Sequence, residues 1–295
     1  MSFTVIDLSQ LPAPDVVETL DYEQLLAEML ADLQARHPDF SALVESDPAF
    51  KVLEVCAYRE LLLRARINAA ARAVMLPYAS GSDLDQLGSY WNIVRQVIDA
   101  GDLQAVPPRE PVLEDDTSLR ARIQLSMEGQ TNAGTEGAYL SRALAADGQV
   151  KSAAAKSPTE GEVVITVLSH EGDGSASAEL VQTVNDYLNQ PHIRQMTDQL
   201  TVQSADIVSY RVKATLYISP GPGANQVMEA ARQAVTDYVA SVHKIGVLVP
   251  LSGIYGALQQ PGVVRVELAE PLTDVNISDS QAGFCSAIEL TQGAA

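Results

Sequence analysis

Residues on which chemistry converges are scarce in this chain. Across 295 residues there are two cysteines, four histidines and one tryptophan. Cys56 and Cys285 make no disulfide framework for a chain of this size, so reduced, cytosolic assembly is the expectation. His37, His170, His192 and His243 are scattered, none in an HExxH or comparable zinc spacing, and read as ordinary surface histidines. The run His170, Glu171, Gly172, Asp173, Gly174 lacks the alternating Asp or Asn ladder and closing Glu of a calcium loop, and reads as a strand-to-helix turn. Gly221, Pro222, Gly223 and Asn225 are glycine-rich before a helix. No P-loop lysine follows them and no G-x-G-x-x-G occurs, so turn geometry and capping suffice to explain them. There is no G-x-S-x-G elbow, and neither cysteine sits in a nucleophile signature. No catalytic residue, metal or cofactor is assigned.

Positive charge is also short. The 19 Lys and Arg face 38 Asp and Glu, a net charge of −19, which disfavours direct binding to a phosphate backbone. A basic-then-apolar leader is missing, as is any uninterrupted apolar run of about 18 residues, so neither a cleaved export signal nor membrane insertion is expected.

What the chain has is apolar patterning, with 46% of its residues hydrophobic, enough for two domains with their own cores. Residues 1–20 carry Pro12 and Pro14 and read as an extended arm. Residues 1–60 hold 12 acidic and 3 basic residues, either a solvated face or a surface for a basic partner. Leu25, Leu26, Met29, Leu30 and Leu33 recur at helical spacing from Tyr22 to Arg36, with Asp21 as the cap. A short turn through Phe40, Leu43 and Val44 follows.

From Asp47, a plausible cap before Pro48, a helix can run to the breaker Pro77, about 28 residues or about 40 Å. On it Val52, Ala70, Leu63, Cys56, Val74, Ile67, Leu53, Ala71, Ala57, Met75, Phe50 and Leu61 cover about half the circumference, with Leu62, Val55 and Ala69 beyond them. A helix apolar on so many sides calls for neighbours on more than one of them. Glu60 and Arg64, four apart within the arc, read either as a surface pair or as a partly buried pair that sets register between packed helices. Gly81, Asp83, Leu84 and Leu87 form a turn into a short helix ending at Trp91, which connects two helices or fixes their departure angle. Trp91 is read as core, with a partner anchor as the second option.

Proline and acid concentrate over 99–117, the expected linker. Helices are predicted over 118–129, with Leu119, Ile123 and Met127 on one side, and over 135–146. The period then changes to two. Val163, Ile165 and Val167 alternate within 162–169, and Tyr210, Val212, Ala214, Leu216 and Ile218 alternate within 208–219. Each run is followed by glycine and a helical stretch, 178–188 and 226–242, and then by a further strand at 199–202 and 263–268. The expectation is an α+β chain: an N-terminal arm and helical bundle region over 1–98, the linker, two small strand-helix-strand lobes over 118–205 and 206–270, and a C-terminal strand or tail over 271–295. Ile288 and Leu290 alternate like an edge strand, completing either their own sheet or a neighbour's.

The run VLEVCAYRELLLRARINAAARAVMLPYASGSDLDQLG, with Trp91 and Arg95 after it, resembles the baseplate J-like wedge proteins of contractile phage tails and R-type bacteriocins. The ending PLTDVNISDSQAGFCSAIELTQG resembles the C-terminal stretch of the same family. The resemblance implies a structural, non-enzymatic subunit assembled in the bacterial cytoplasm. Two copies would join a smaller helical partner in a wedge, and six wedges would ring the tube and spike beside sheath-initiator and hub components. It further implies that the N-terminal helices form the bundle and the C-terminal region joins wedges. Leu53, Glu60, Leu63, Arg64, Ile67, Val74, Gly81, Asp83, Leu84, Trp91, Ile288 and Leu290 are the interface residues so expected. The alternatives are a scaffold or adaptor of a cellular complex and, more distantly, a hydrolase with a composite site.

Overall fold

Helical spacing early and alternating spacing late do become helices early and strands late. A computed structural model describes residue 8 and residues 11–12, 14, 16–40, 43–131, 133–219 and 223–293. Over these the chain is α+β, with eight α-helices and eight strands. It divides into two compact units: the described residues up to Val94 with Asp116–Arg120, and Arg95–Asp115 with the described residues from Ala121 onward.

In the smaller unit α1 (Tyr22–Arg36) begins where the Asp21 carboxylate accepts from the N–H groups of Glu23 and Gln24, satisfying donors that a helix start leaves unpaired. A 3-10 turn (Pro38–Phe40) leads on to α2 (Pro48–Ala73), 26 residues or about 39 Å long. Asp47 stands at its start, yet its carboxylate accepts from Val44 N–H rather than from the helix. The helix ends before Pro77, because a residue that precedes proline is pushed out of helical geometry and the chain turns over 74–78. Leu25 and Leu26 of α1 pack on Ala57, flanked by Phe50, Leu53 and Leu61. Buried Asn68 donates to the Glu18 carbonyl at 2.8 Å and accepts from Glu18 N–H at 3.1 Å, tying the incoming segment to α2. A third helix, α3 (Gly81–Ser89), completes the order.

The larger unit opens with a ribbon, β1 (Val97–Asp99) antiparallel to β2 (Val112–Leu113), which begins two residues before the segment expected to be linker, 99–117, and lies otherwise within it. Its base is held by a buried ion pair. Glu114 Oε2 lies 2.5 Å from Arg122 Nη1 and accepts from Gln96 N–H, while Arg95 donates to the Glu114 carbonyl. Arg122 lies on α4 (Asp116–Gly129), which precedes α5 (Glu136–Ala146).

The first lobe has the strands β3 (Val150–Lys156), β4 (Glu162–Ser169) and β5 (Gln199–Ser204), with α6 (Ala178–Leu188) crossing from β4 to β5. β3 runs antiparallel and β5 parallel to the central β4. Tyr139 and Ala143 of α5 and Leu180, Val184 and Leu188 of α6 cover Ile165 and Val167. The second lobe is built on β6 (Asp206–Ile218), with α7 (Ala224–Val242), α8 (Leu251–Leu258), β7 (Val263–Glu270) and β8 (Gln281–Gly293). β6 is central, antiparallel to β7 and parallel to β8. Its alternate residues Tyr210, Val212, Ala214, Leu216 and Ile218 are all buried, against Ala231 and Val235 of α7 and Ile254 and Leu258 of α8.

Both lobes thus place a central strand between one parallel and one antiparallel neighbour, but by different routes. The first crossover returns parallel, whereas the path β6, α7, α8, β7 returns antiparallel, so the two expected strand-helix-strand copies are not equivalent. Two elements escape sequence patterning. β3 reads VKSAAAK, poor in β-formers, and its strand state is decided by pairing with β4. α8 has eight residues including two glycines, and is held by its fully buried Ile254 and Leu258. Met127, expected beside Leu119 and Ile123, is 63% exposed, because eight residues along a helix carry it about 80° past Leu119.

The buried ion pair is expected to dominate its surroundings. Arg122→Met should lower stability by about 3 kcal/mol in urea denaturation, since it strands a buried carboxylate. Arg36→Ala, which breaks an exposed pair with Asp32, should change it by less than about 0.5 kcal/mol.

Candidate assembly interface

The apolar arc of α2 divides into two faces. Phe50, Leu53, Ala57 and Leu61 turn inward on α1. Val52, Leu63, Ile67 and Val74 turn outward, exposed by 61%, 65%, 61% and 69%, with Cys56 and Ala70 exposed among them. Val52, Leu63 and Val74 stand 11 residues apart, as do Cys56 and Ile67. Eleven residues make three turns at about 3.67 per turn, so the stripe runs nearly straight along the helix for about 33 Å. Val55, Tyr58 and Leu62 form a second exposed apolar group on another side. Covering the four stripe aliphatics is worth on the order of 5 kcal/mol, about the minimum cost of association. One neighbouring helix on one stripe is therefore a weak complex, and a bundle touching both groups is a stable one.

Glu60 and Arg64 border the stripe. Arg64 Nη2 lies 2.6 Å from Glu60 Oε1, and Arg64 Nη1 lies 3.1 Å from Glu18 Oε2. The hydrogen bond to Glu60 is the main reason that the Arg64 pKa rises. The guanidinium thus holds the incoming segment and α2 together while remaining partly exposed.

The turn before α3 is clamped. Gly81 takes φ +53°, a conformation that favours glycine, and its N–H donates to Asp116 at 3.0 Å. Arg120 donates to the carbonyls of Leu76 and Ala79 at 2.8 and 2.7 Å. Leu84 is fully buried, Asp83 is exposed and Trp91 is 39% exposed, next to Tyr90 at 81%. At the other end of the chain Ile288 and Leu290 lie on β8 opposite Val212 and Ala214, half-buried against the core of the second lobe. β8 is an edge strand of its own sheet. The ribbon contributes a further exposed set, Val97, Leu103, Val106, Val112 and Leu113, in a stretch whose prolines hid it from sequence patterning.

Groups with reactive potential are tied into structure. Among the described residues no cluster of three or more His, Cys, Asp and Glu is placed to hold a metal. Gly172 and Gly174, both at positive φ, shape the turn after β4, and Asp173 accepts from Ser175 N–H, which lowers its pKa. Residues 220–222 of the second glycine-rich turn lie outside the described residues, and Gly223 caps α7. The histidines differ from expectation: His37 and His192 are exposed, but His170 is half-buried and His243 is buried, because turns fold both back against the lobes. A depression of about 50 Å³ lies beside Asp21, Glu28 and Arg64, far below the roughly 300 Å³ of a small-molecule site. No described helix is long and apolar enough to cross a membrane.

A family model for the Baseplate J-like N-terminal domain matches residues 45–102, which contain all of α2 and α3. Baseplate protein J of Escherichia phage P2 is 44% identical over 296 residues, covering 98% of each chain. A chain in the six-fold symmetrised cryo-EM structure of the anti-feeding prophage baseplate aligns with 62% of this chain at 14% identity and a TM-score of 0.44. This chain spans 44% of that chain's length, and the likeness is too slight to bear on the fold.

Gly81→Ala should cost about 1 kcal/mol, from backbone strain alone, since an added Cβ there meets no atom within 4 Å. Gly253→Ala should cost more, because its Cβ would collide with the Tyr238 ring. Thermal unfolding of the two variants distinguishes strain from collision.

Proposed function

The chain belongs to the baseplate J-like family, and on that premise we propose that it is a structural wedge subunit of a contractile-tail baseplate. It acts by assembly, without catalysis. The observation that carries this reading is the outward apolar stripe of α2, Val52 to Val74, more than half exposed at its four large aliphatics. Such a stripe is stable in water only when other helices cover it. In the proposed assembly two copies and a smaller helical partner share a bundle built on residues 1–98. The C-terminal region, 271–295, links wedges into a ring around the tube and spike, near the sheath-initiating components.

The interface residues sort by their placement. Leu63, Ile67 and Val74 meet the partner helices, while Leu53 sets the inner face. Glu60 and Arg64 fix register at the border, and Gly81, Asp83, Leu84 and Trp91 set how the chain leaves the bundle. Ile288 and Leu290 hold β8 in place so that its free edge faces a neighbour. Assembly takes place in the bacterial cytoplasm. The remaining reading, a scaffold of a cellular complex, shares the same stripe and differs only in the partner.

Two outcomes are expected. The isolated chain should self-associate in light scattering until the smaller partner is co-expressed, and a well-behaved monomer would count against the bundle. Ile67→Asp should leave unfolding within about 0.5 kcal/mol of wild type, since the residue is exposed, yet abolish co-purification with the partner. Retention of the partner by Ile67→Asp would overturn the assignment. Deleting 271–295 is not a clean test of ring closure, because it removes β8, which pairs with β6 from Asp206 to Tyr217.

A further inference from the structure

Lys151 of β3 reaches out of the first lobe to His243, the residue that ends α7 in the second, and its Nζ lies 2.9 Å from Nδ1 of the ring. An ammonium group only donates hydrogen bonds. Nδ1 must therefore offer its lone pair, which places the single proton of a neutral ring on Nε2. That ring is buried, with Nε2 lacking a hydrogen-bond partner. It is packed so tightly that a Cβ on Gly174 would stand 2.8 Å from Nε2. Behind the contact lies the apolar seam of the two lobes, Leu168, Ala205 and Ala282 with Ile207 and Ile245.

The charges around the ring are unbalanced. Lys151 comes from β3, Lys244 follows His243 in the chain, and half-buried His170 comes from the turn after β4. Asp173, in that same turn, opposes them twice, through its backbone carbonyl and, less, through its carboxylate, which already accepts from Ser175 N–H. Asp115 acts on His170. β8 contributes only the uncharged ring of Phe284, 5.5 Å from that of His243.

We propose that the Lys151–His243 contact is an acid-sensitive latch between the two lobes, closed while the ring is neutral and released when the ring takes up a second proton. Protonation removes the acceptor on Nδ1, so the hydrogen bond is lost, and it sets an imidazolium against Lys151 and His170. Burial, then Lys151, hold the His243 pKa below its ordinary 6.5, and burial followed by Lys244 lowers that of Lys151. The sign follows from linkage. With a depressed pKa in the folded state, the unfolded chain binds the proton more readily, so the contribution of His243 to stability is level above pH 6.5 and falls as the pH drops below it.

The test uses the full chain with carbon-13-labelled histidine, following the ring signals against pH. His243 should titrate below the ordinary 6.5 of a histidine, and Lys151→Met should move its midpoint up toward that value. The urea midpoint should fall on acidification of wild type and fall much less in His243→Gln, whose amide keeps an acceptor for Lys151 but cannot take up charge. The latch is refuted if His243 titrates at or above 6.5, or if the acid-induced fall in His243→Gln is as large as in wild type; a smaller residual fall belongs to half-buried His170, whose pKa burial also lowers. Should that variant fail to fold, the wild-type and Lys151→Met titrations decide the matter by themselves.

Discussion

A helix of 26 residues whose apolar arc covers about half its circumference, with further apolar residues beyond, has among the described residues of its own unit one 15-residue helix packed against it. That mismatch between apolar surface and available cover is the constraint on which the rest depends. α1 takes the face defined by Phe50, Leu53, Ala57 and Leu61, and the polar pins Asn68 and Arg64 hold the incoming chain on the same side. Everything from Val52 around to Tyr58 is left to water. Aliphatic surface of that extent is costly to expose, and its straight eleven-residue repeat suits a parallel or antiparallel helix more than a globular neighbour.

The larger unit is built on the opposite economy. Each lobe closes a small sheet with its own helices, and the inward positions of β4 and β6 are almost completely buried. Polar groups there go to structure: Glu114 with Arg122 at the base of the ribbon, Tyr139 with Asp198, and Lys151 with His243 at the seam of the lobes. Each lobe thus closes its own core, whereas α2 of the smaller unit keeps an exposed apolar stripe.

Legibility followed the range of the forces involved. The bounds of α1, β4 and α6 and the inward face of β6 were readable because capping and periodicity act within a few residues of one another. That one lobe's return is parallel and the other's antiparallel was not readable, because the two returns look alike along the chain. β3 was unreadable for a related reason, since an alanine-rich strand is held by what lies beside it. Pro107, Pro108 and Pro111 mask the ribbon, and His243 looks like a surface residue along the chain because only the folding of its turn buries it.

The sequence by itself determined that α2 is long, that it carries more apolar surface than one short helix can cover, and that it holds Glu60 and Arg64 one turn apart. These follow from helical geometry, which is local. The tertiary structure alone decided which half of that surface α1 takes, that Gly81 is clamped by Asp116 and the preceding turn by Arg120, that Leu84 is buried, and that Lys151 meets His243 across a separation of 92 residues. Such contacts depend on where the chain returns in space, and short-range periodicity carries no record of that return.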